Sequence, residues 1–259
     1  MNVFFVSDTH FGHRNIVKYS KRPFLTTDYE QQVFKLTHGP DNKTLSDVSI
    51  EDWEHWEKMR LSDQSMEFHD ETLIANWNNT VTNKNDTVYC LGDFGFGKRE
   101  EMEKVFDRLN GQIHFVRGNH DKSTDQFKHR FVSYRDMSSI KISDTDLESG
   151  RQHIVLCHYA MLTWNKIHYG TWQIFGHSHS TLNPLIDAVF PNHPMLDVGV
   201  DSTAKRLGKD ILSPENYRPV SYEEVKELMS TKEFKPIDHH ELKDKMISHE
   251  KEHANDGKR

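Results

Sequence analysis

Five apolar, strand-like runs in this chain each end in residues of metal-binding type, and this recurrence constrains the fold more than any other feature. The N-terminal run around Val3-Phe4-Phe5 leads into Asp8-Thr9-His10, and Asp86–Leu91 leads into Gly92-Asp93. Gln112–Val116 is followed by Gly118-Asn119-His120-Asp121, His153–Cys157 by His158, and Trp172–Phe175 by Gly176-His177-Ser178-His179. In open α/β sheets, ligands bind at the carboxyl ends of strands. Asp8/His10 and His177/His179 are each spaced by two, which in extended chain puts both side chains on one face. Gly92, Gly118 and Gly176 permit tight turns and close backbone approach. A lone His or Asp-X-His is more often structural than functional. Five such clusters in order, all at strand-to-loop junctions, are hard to obtain by chance.

The intervening pattern predicts a layered fold. Lys98–Leu109 reads as a helix, and further strands fit Ile140–Ile142 and Met195–Val200. The polar segment Asp144–Gly150 reads as a hairpin turn. Ser49 is placed to cap a helix carrying Trp53 and Trp56, with Asp52 as an imperfect capping-box partner. Met66, Leu73, Ile74 and Trp77 make one helical stripe, and a last helix starts at Ser221. Early β/α alternation followed by a strand-rich second half implies an α/β (α+β) sandwich rather than a bundle or barrel.

Charge and composition divide the chain. Between Asp28 and Thr72 stand twelve acidic and four basic residues, so this stretch alone outweighs the net charge of -7 on the whole 259 residues. Residues 28–65 therefore read as an acidic insertion within a domain spanning 1–230, followed by a polar extension over 231–259. His249 and His253 in that extension have i, i+4 spacing and read as a solvated helix face. Mean hydropathy is −0.80, and no run approaches the ~18 apolar residues of a membrane span. The N-terminus lacks a basic region ahead of an apolar one, so no signal peptide is expected. Cys90 and Cys157 sit in apolar runs and cannot form a disulfide framework, so a reduced, cytoplasmic protein is expected. The mild acidity weighs against a generic nucleic-acid binder.

The series D-x-H, G-D, G-N-H-D, H and G-H-x-H resembles the calcineurin-like metallophosphoesterase superfamily. The wording SDTHFGHRNI, RPF, VYCLGDFGFG, VRGNHD, LCHY and VGVD is similar to a branch of small bacterial and phage phosphoesterases. The resemblance implies a four-layer αββα sandwich with a two-metal site at the strand ends. It assigns Asp8, His10 and His179 to one ion and Asn119, His158 and His177 to the other, with Asp93 bridging. Imidazole, carboxylate and amide donors without thiolate favour two divalent transition-metal ions, Mn2+ first, with Fe, Co, Ni or Zn as alternatives. Two dications set against two carboxylates and a hydroxide leave net positive charge to attract phosphate. The family chemistry implied is attack by a bridging hydroxide on a phosphodiester or phosphomonoester, with His120 as general acid oriented by Asp121.

Substrate contacts are less constrained. His13 is a candidate for substrate contact, and Arg22 and Arg117 are candidate phosphate clamps. Trp164 and Trp172 flank two clusters and read as buried aromatics rather than base-stacking groups. The insertion follows the His10 and His13 loop, so a lid carrying Trp53 and Trp56 is one expectation and a surface ornament the other. Its charge would disfavour long polyanions. Small phosphoesters, nucleotides or cyclic nucleotides are thus the expected partners, with a DNA or RNA nuclease as the alternative enzyme and a non-catalytic scaffold as a third reading. No membrane partner is expected, and association into a homo-oligomer is left open.

Overall fold

In a computed structural model of the chain, which describes residues 1–39 and 44–233, all seven strands expected from the sequence form. Strands β1 (Val3–Val6), β2 (Thr87–Cys90) and β3 (Gln112–Val116) are parallel neighbours. Two short strands complete this sheet, β4 (Ser133–Arg135) beside β3 and the antiparallel β9 (Val220–Ser221) beside β1. The second sheet has the order β5 (Met137–Ser143), β6 (Arg151–Cys157), β7 (Trp172–Phe175), β8 (Met195–Asp197). β5 and β6 pair antiparallel around the predicted turn at 144–150.

The period-two alternation of each strand separates three cores. Phe4, Val6, Val88, Cys90, Ile113 and Phe115 pack with Leu73, Ile74 and Trp77 of α4 (Asp63–Thr80) and Met102, Val105 and Phe106 of α5 (Arg99–Arg108). From the opposite faces, Phe5, Leu91 and Val116 meet Ile154, Leu156, Ile174 and Leu196 of the second sheet. Beyond that sheet, Val155, Phe175 and Met195 pack with Trp164, Ile167 and Ile186 of α6 (Asn183–Val189). The result is helix, sheet, sheet, helix. Trp164 and Trp172 both serve these cores. The last described helix, α8 (Tyr222–Ser230), starts with a Ser221–Glu224 capping box and packs Val225 between the sheets.

Met195–Val200 departs from the single strand expected there. β8 ends at Asp197, whose Oδ1 accepts from the Gly199 amide at 2.8 Å, and helix α7 (Val200–Arg206) follows. The apolar valines remain buried because the chain is captured by the first sheet. Ser7 N–H donates to Val198 O at 3.2 Å, and Val200 N–H donates to Ser7 O at 3.1 Å. Those two hydrogen bonds tie the sheets together beside the strand ends.

The acidic insertion folds onto the core. α2 (Asp28–Thr37) has a Thr27–Glu30 capping box, and α3 (Ile50–Lys58) is capped by Ser49, which accepts from the Asp52 amide. Trp56 is 4% exposed and packs on Phe34 and His38, while Lys18 Nζ donates to the Trp56 and Glu57 carbonyls. The polar extension lies outside the described residues from 234 onward, and with it His249 and His253.

Candidate metal centre

The five strand ends converge where the sheets are tied. Asp8 (0% exposed), Asp93 (2%) and His158 (0%) form the floor, with His10 buried beside them. Two groups have donor atoms close enough to share an ion: Asp8, His10 and His179, and Asp93, His158 and His177. His10 Nε2 lies 3.2 Å from His179 Nε2 and 3.9 Å from Asp8 Oδ1. Asp93 Oδ2 lies 3.5 Å from His158 Nε2 and 3.8 Å from His10 Nε2, which places it between the groups. Asn119 Oδ1 joins the second group 3.1 Å from His158 Nε2.

Extended geometry does not produce this convergence. Asp8, His10, Asp93, His177 and His179 all have positive φ, between 45° and 69°. Each such non-glycine residue costs about 1–2 kcal/mol. The turns are held by the neighbouring chain: Asp8 N–H donates to Gly92 O and His10 N–H to Asp93 O, both at 3.0 Å, while both Asp8 carboxylate oxygens accept from the His177 amide. Gly176 is required by close approach, since a Cβ there would stand 2.4 Å from Asp8 Oδ2.

The donor set fits cations. His158 Nδ1 donates to the Leu91 carbonyl at 2.6 Å, so the neutral ring turns its Nε2 lone pair toward Asn119 Oδ1 and Asp93 Oδ2, two further acceptors. A cation or a second ring proton must lie between them. Without a cation, burial opposes protonation of His158, but the hydrogen bond and charge of Asp93, with the charge of Asp8, raise its pKa to about 9. Asp8, wholly buried, is pushed up to about 7 despite His179 and His158 nearby. His10 is driven down to about 2 by burial, then by Arg22 and His179, so its ring is neutral. Neutral imidazoles and carboxylates aimed at shared points are ligand chemistry.

Several sequence expectations are corrected. Arg22 does not face substrate: it is 1% exposed and forks onto Asp201, with further bonds to the Asp8 and Thr9 carbonyls. Arg117 turns away to pair with Asp125 at 3.3 Å. Asp121 does not orient the His120 ring. Its buried carboxylate accepts from the amides of Asp93, Phe94 and Gly118 and from the Thr124 hydroxyl, so it shapes the loops carrying Asp93 and Asn119. Among the described residues of the insertion none lines the cleft over the site, and Trp56 is in the core rather than in a lid. His13 and His120 do line that cleft. The His13 ring packs tilted against Phe96, with centroids 4.3 Å apart, and the exposed His120 ring lies 6.0 Å from His10.

Two residues at the site were missed as functional candidates. Asp201 Oδ2 accepts from His179 Nδ1 at 2.6 Å, and Tyr19 forms part of the cleft wall. Asp201 lay in plain sight within V-G-V-D; Tyr19 carried no signal. Burial opposes ionisation of Asp201, but Arg22 and His179 hold its carboxyl well below the usual range.

Residues 62–189 match the calcineurin-like phosphoesterase superfamily domain. The matched span holds Asp93, Asn119, His158, His177 and His179; the fold adds Asp8 and His10 from outside it. An uncharacterized protein of Methanocaldococcus jannaschii is 26% identical over 223 residues, covering 85% of this chain and 87% of that protein. A crystal structure of a protein of unknown function from Aquifex aeolicus has a similar fold, with a TM-score of 0.50 at 19% identity, over 88% of this chain and 98% of that one. Among the described residues, no helix is long and apolar enough to cross a membrane.

Proposed function

We propose that the protein is a two-metal phosphoesterase acting on small phosphodiesters or phosphomonoesters, nucleotides and cyclic nucleotides among them. The observation that carries this reading is the pair of ligand groups sharing Asp93 at the junction of the sheets. Bound there, two divalent ions, Mn2+ first among them, would supply Lewis-acid stabilisation of the phosphoryl group and an activated water. The protein's own residues do the rest. Asp8, His10 and His179 would hold one ion and Asn119, His158 and His177 the other, with Asp93 placed to serve both. The His120 amide donates to Asp93 Oδ1 at 2.9 Å, which fixes the base of the His120 side chain next to the centre. Its ring stands at the exposed side, where a leaving-group oxygen would depart, and it donates the proton that oxygen needs.

The cleft supports a small substrate. Its volume is about 620 Å3, and its walls are Tyr19, Ile16, Thr181 and Leu182 around the histidines, with no Lys or Arg lining it among the described residues. A nuclease following a polynucleotide backbone would use a basic track. Metal-free protein reloaded with Mn2+ and assayed on p-nitrophenyl phosphate and bis-p-nitrophenyl phosphate, with Asp93→Asn as control, tests the reading. The expected result is metal-dependent hydrolysis, faster on the diester and absent in the variant. A preference for the monoester would assign a phosphatase. Absence of turnover on both esters would overturn the reading.

A further inference from the structure

R-P-F and V-G-V-D stand out in the sequence without any role in binding ions or transferring protons. In the fold they meet, with Arg22 and Asp201 separated by 179 positions. Arg22 Nε donates to Asp201 Oδ1 and Nη2 to Oδ2, both at 2.7 Å, and the side chains are 0% and 5% exposed. The remaining donors of the fork go to the carbonyls of Asp8, at 2.6 Å, and Thr9, at 3.0 Å, and to His69 Nε2, at 2.9 Å. Asp201 Oδ2 then accepts a hydrogen bond from His179 Nδ1 at 2.6 Å. One buried fork thus grips the backbone of Asp8 directly and the ring of His179 through a carboxylate. The other ligand group is held differently: His158 by the Leu91 carbonyl, and Asp93 by the His120 amide.

We propose that Arg22 and Asp201 are positioning residues that set the affinity of the Asp8–His10–His179 site separately from that of its neighbour. This rests on the two-metal reading above. A carboxylate on Nδ1 fixes the tautomer that turns the Nε2 lone pair inward and makes the ring a stronger ligand. The planar fork in turn prevents Asp201 from rotating away, which a lysine's single ammonium would not do. The arrangement predicts two metal sites of separable strength, one governed by residues that never touch the ion.

Metal-free wild type and Asp201→Asn, each verified as folded by thermal melting, are titrated with Mn2+ by calorimetry and with Co2+ by visible absorption. Wild type should take up two ions. Asp201→Asn should keep one class of site at wild-type affinity and weaken the other about ten- to hundred-fold. His179→Ala should lose the same class, and the double variant should show no further weakening. Arg22→Lys retains a positive charge beside Asp201 and so avoids leaving it buried and unpaired. It should weaken the same class by less, and it carries the test should Asp201→Asn not fold. Equal weakening of both classes, or none, overturns the inference while leaving the two-metal reading intact. A folded wild type that takes up no ion overturns both.

Discussion

At the scale of single residues, the site is built from side chains whose protonation is set by burial and by each other. Above pH 6.5 the groups still holding extra protons in the folded, metal-free chain are those with raised pKa values, chiefly His158 at about 9. Stability contributed by the protonated His158 is fully present below its unfolded value and is lost as pH rises through about 9. Metal-free protein should therefore become less stable between about pH 6.5 and 9, and metal-loaded protein should not; denaturant midpoints measured across that range check this. His120 belongs to neither ligand group. His120→Ala should accordingly bind both ions and lose about 10²–10⁴-fold in kcat on an ester with an alkoxide leaving group. An unchanged kcat would remove it from the mechanism. The substrate role expected of Arg22 fails for a plain reason: a guanidinium already engaged by carboxylate and carbonyl oxygens and by the His69 ring has no donor left for phosphate.

At the scale of elements, strands and their loops have different legibility. Alternating apolar residues located β2, β3, β6 and β7 within two residues of their ends, because the pattern is local. The backbone of the loops was not legible. The spacing of Asp8 and His10 suggests extended chain, yet both adopt positive φ because amide bonds to Gly92 and Asp93 impose it. The insertion shows the same limit, since its charge describes its outer surface and conceals the inward stripe of Val33, Trp56, Met59 and Leu61. Trp56→Ala should cost about 3–5 kcal/mol in chemical denaturation. Its kcat and KM on the aryl esters should stay unchanged, since α3 contributes nothing to the cleft. A raised KM would restore the lid.

For the whole molecule, the candidate site lies where two sheets are laced together, so metal binding there would be coupled to folding. Asp8 and Asp93 follow strands of the first sheet, and His158, His177 and His179 follow strands of the second. An ion bridging them would be held only in the folded state. At a free concentration of 100 Kd each ion stabilises by about 2.7 kcal/mol, and at about 2–4 °C per kcal/mol its removal should lower Tm by about 5–10 °C. Melting with and without chelator, followed by Mn2+ readdition, measures it. An unchanged Tm would show that the ions contribute nothing to holding the sheets together.

The donor-bearing clusters, their order and a layered α/β sandwich were determined by sequence alone, because donor chemistry and strand periodicity are properties of short segments. The αββα layering was what the family resemblance implied. Tertiary structure decided the partners. Arg22 reaches Asp201, Asp121 turns to the backbone, and Trp56 is buried, since each outcome depends on what a distant segment brings within hydrogen-bonding or van der Waals range. A side chain's role follows from the groups that first satisfy its polar atoms or cover its apolar ones, and those lie up to 179 positions away.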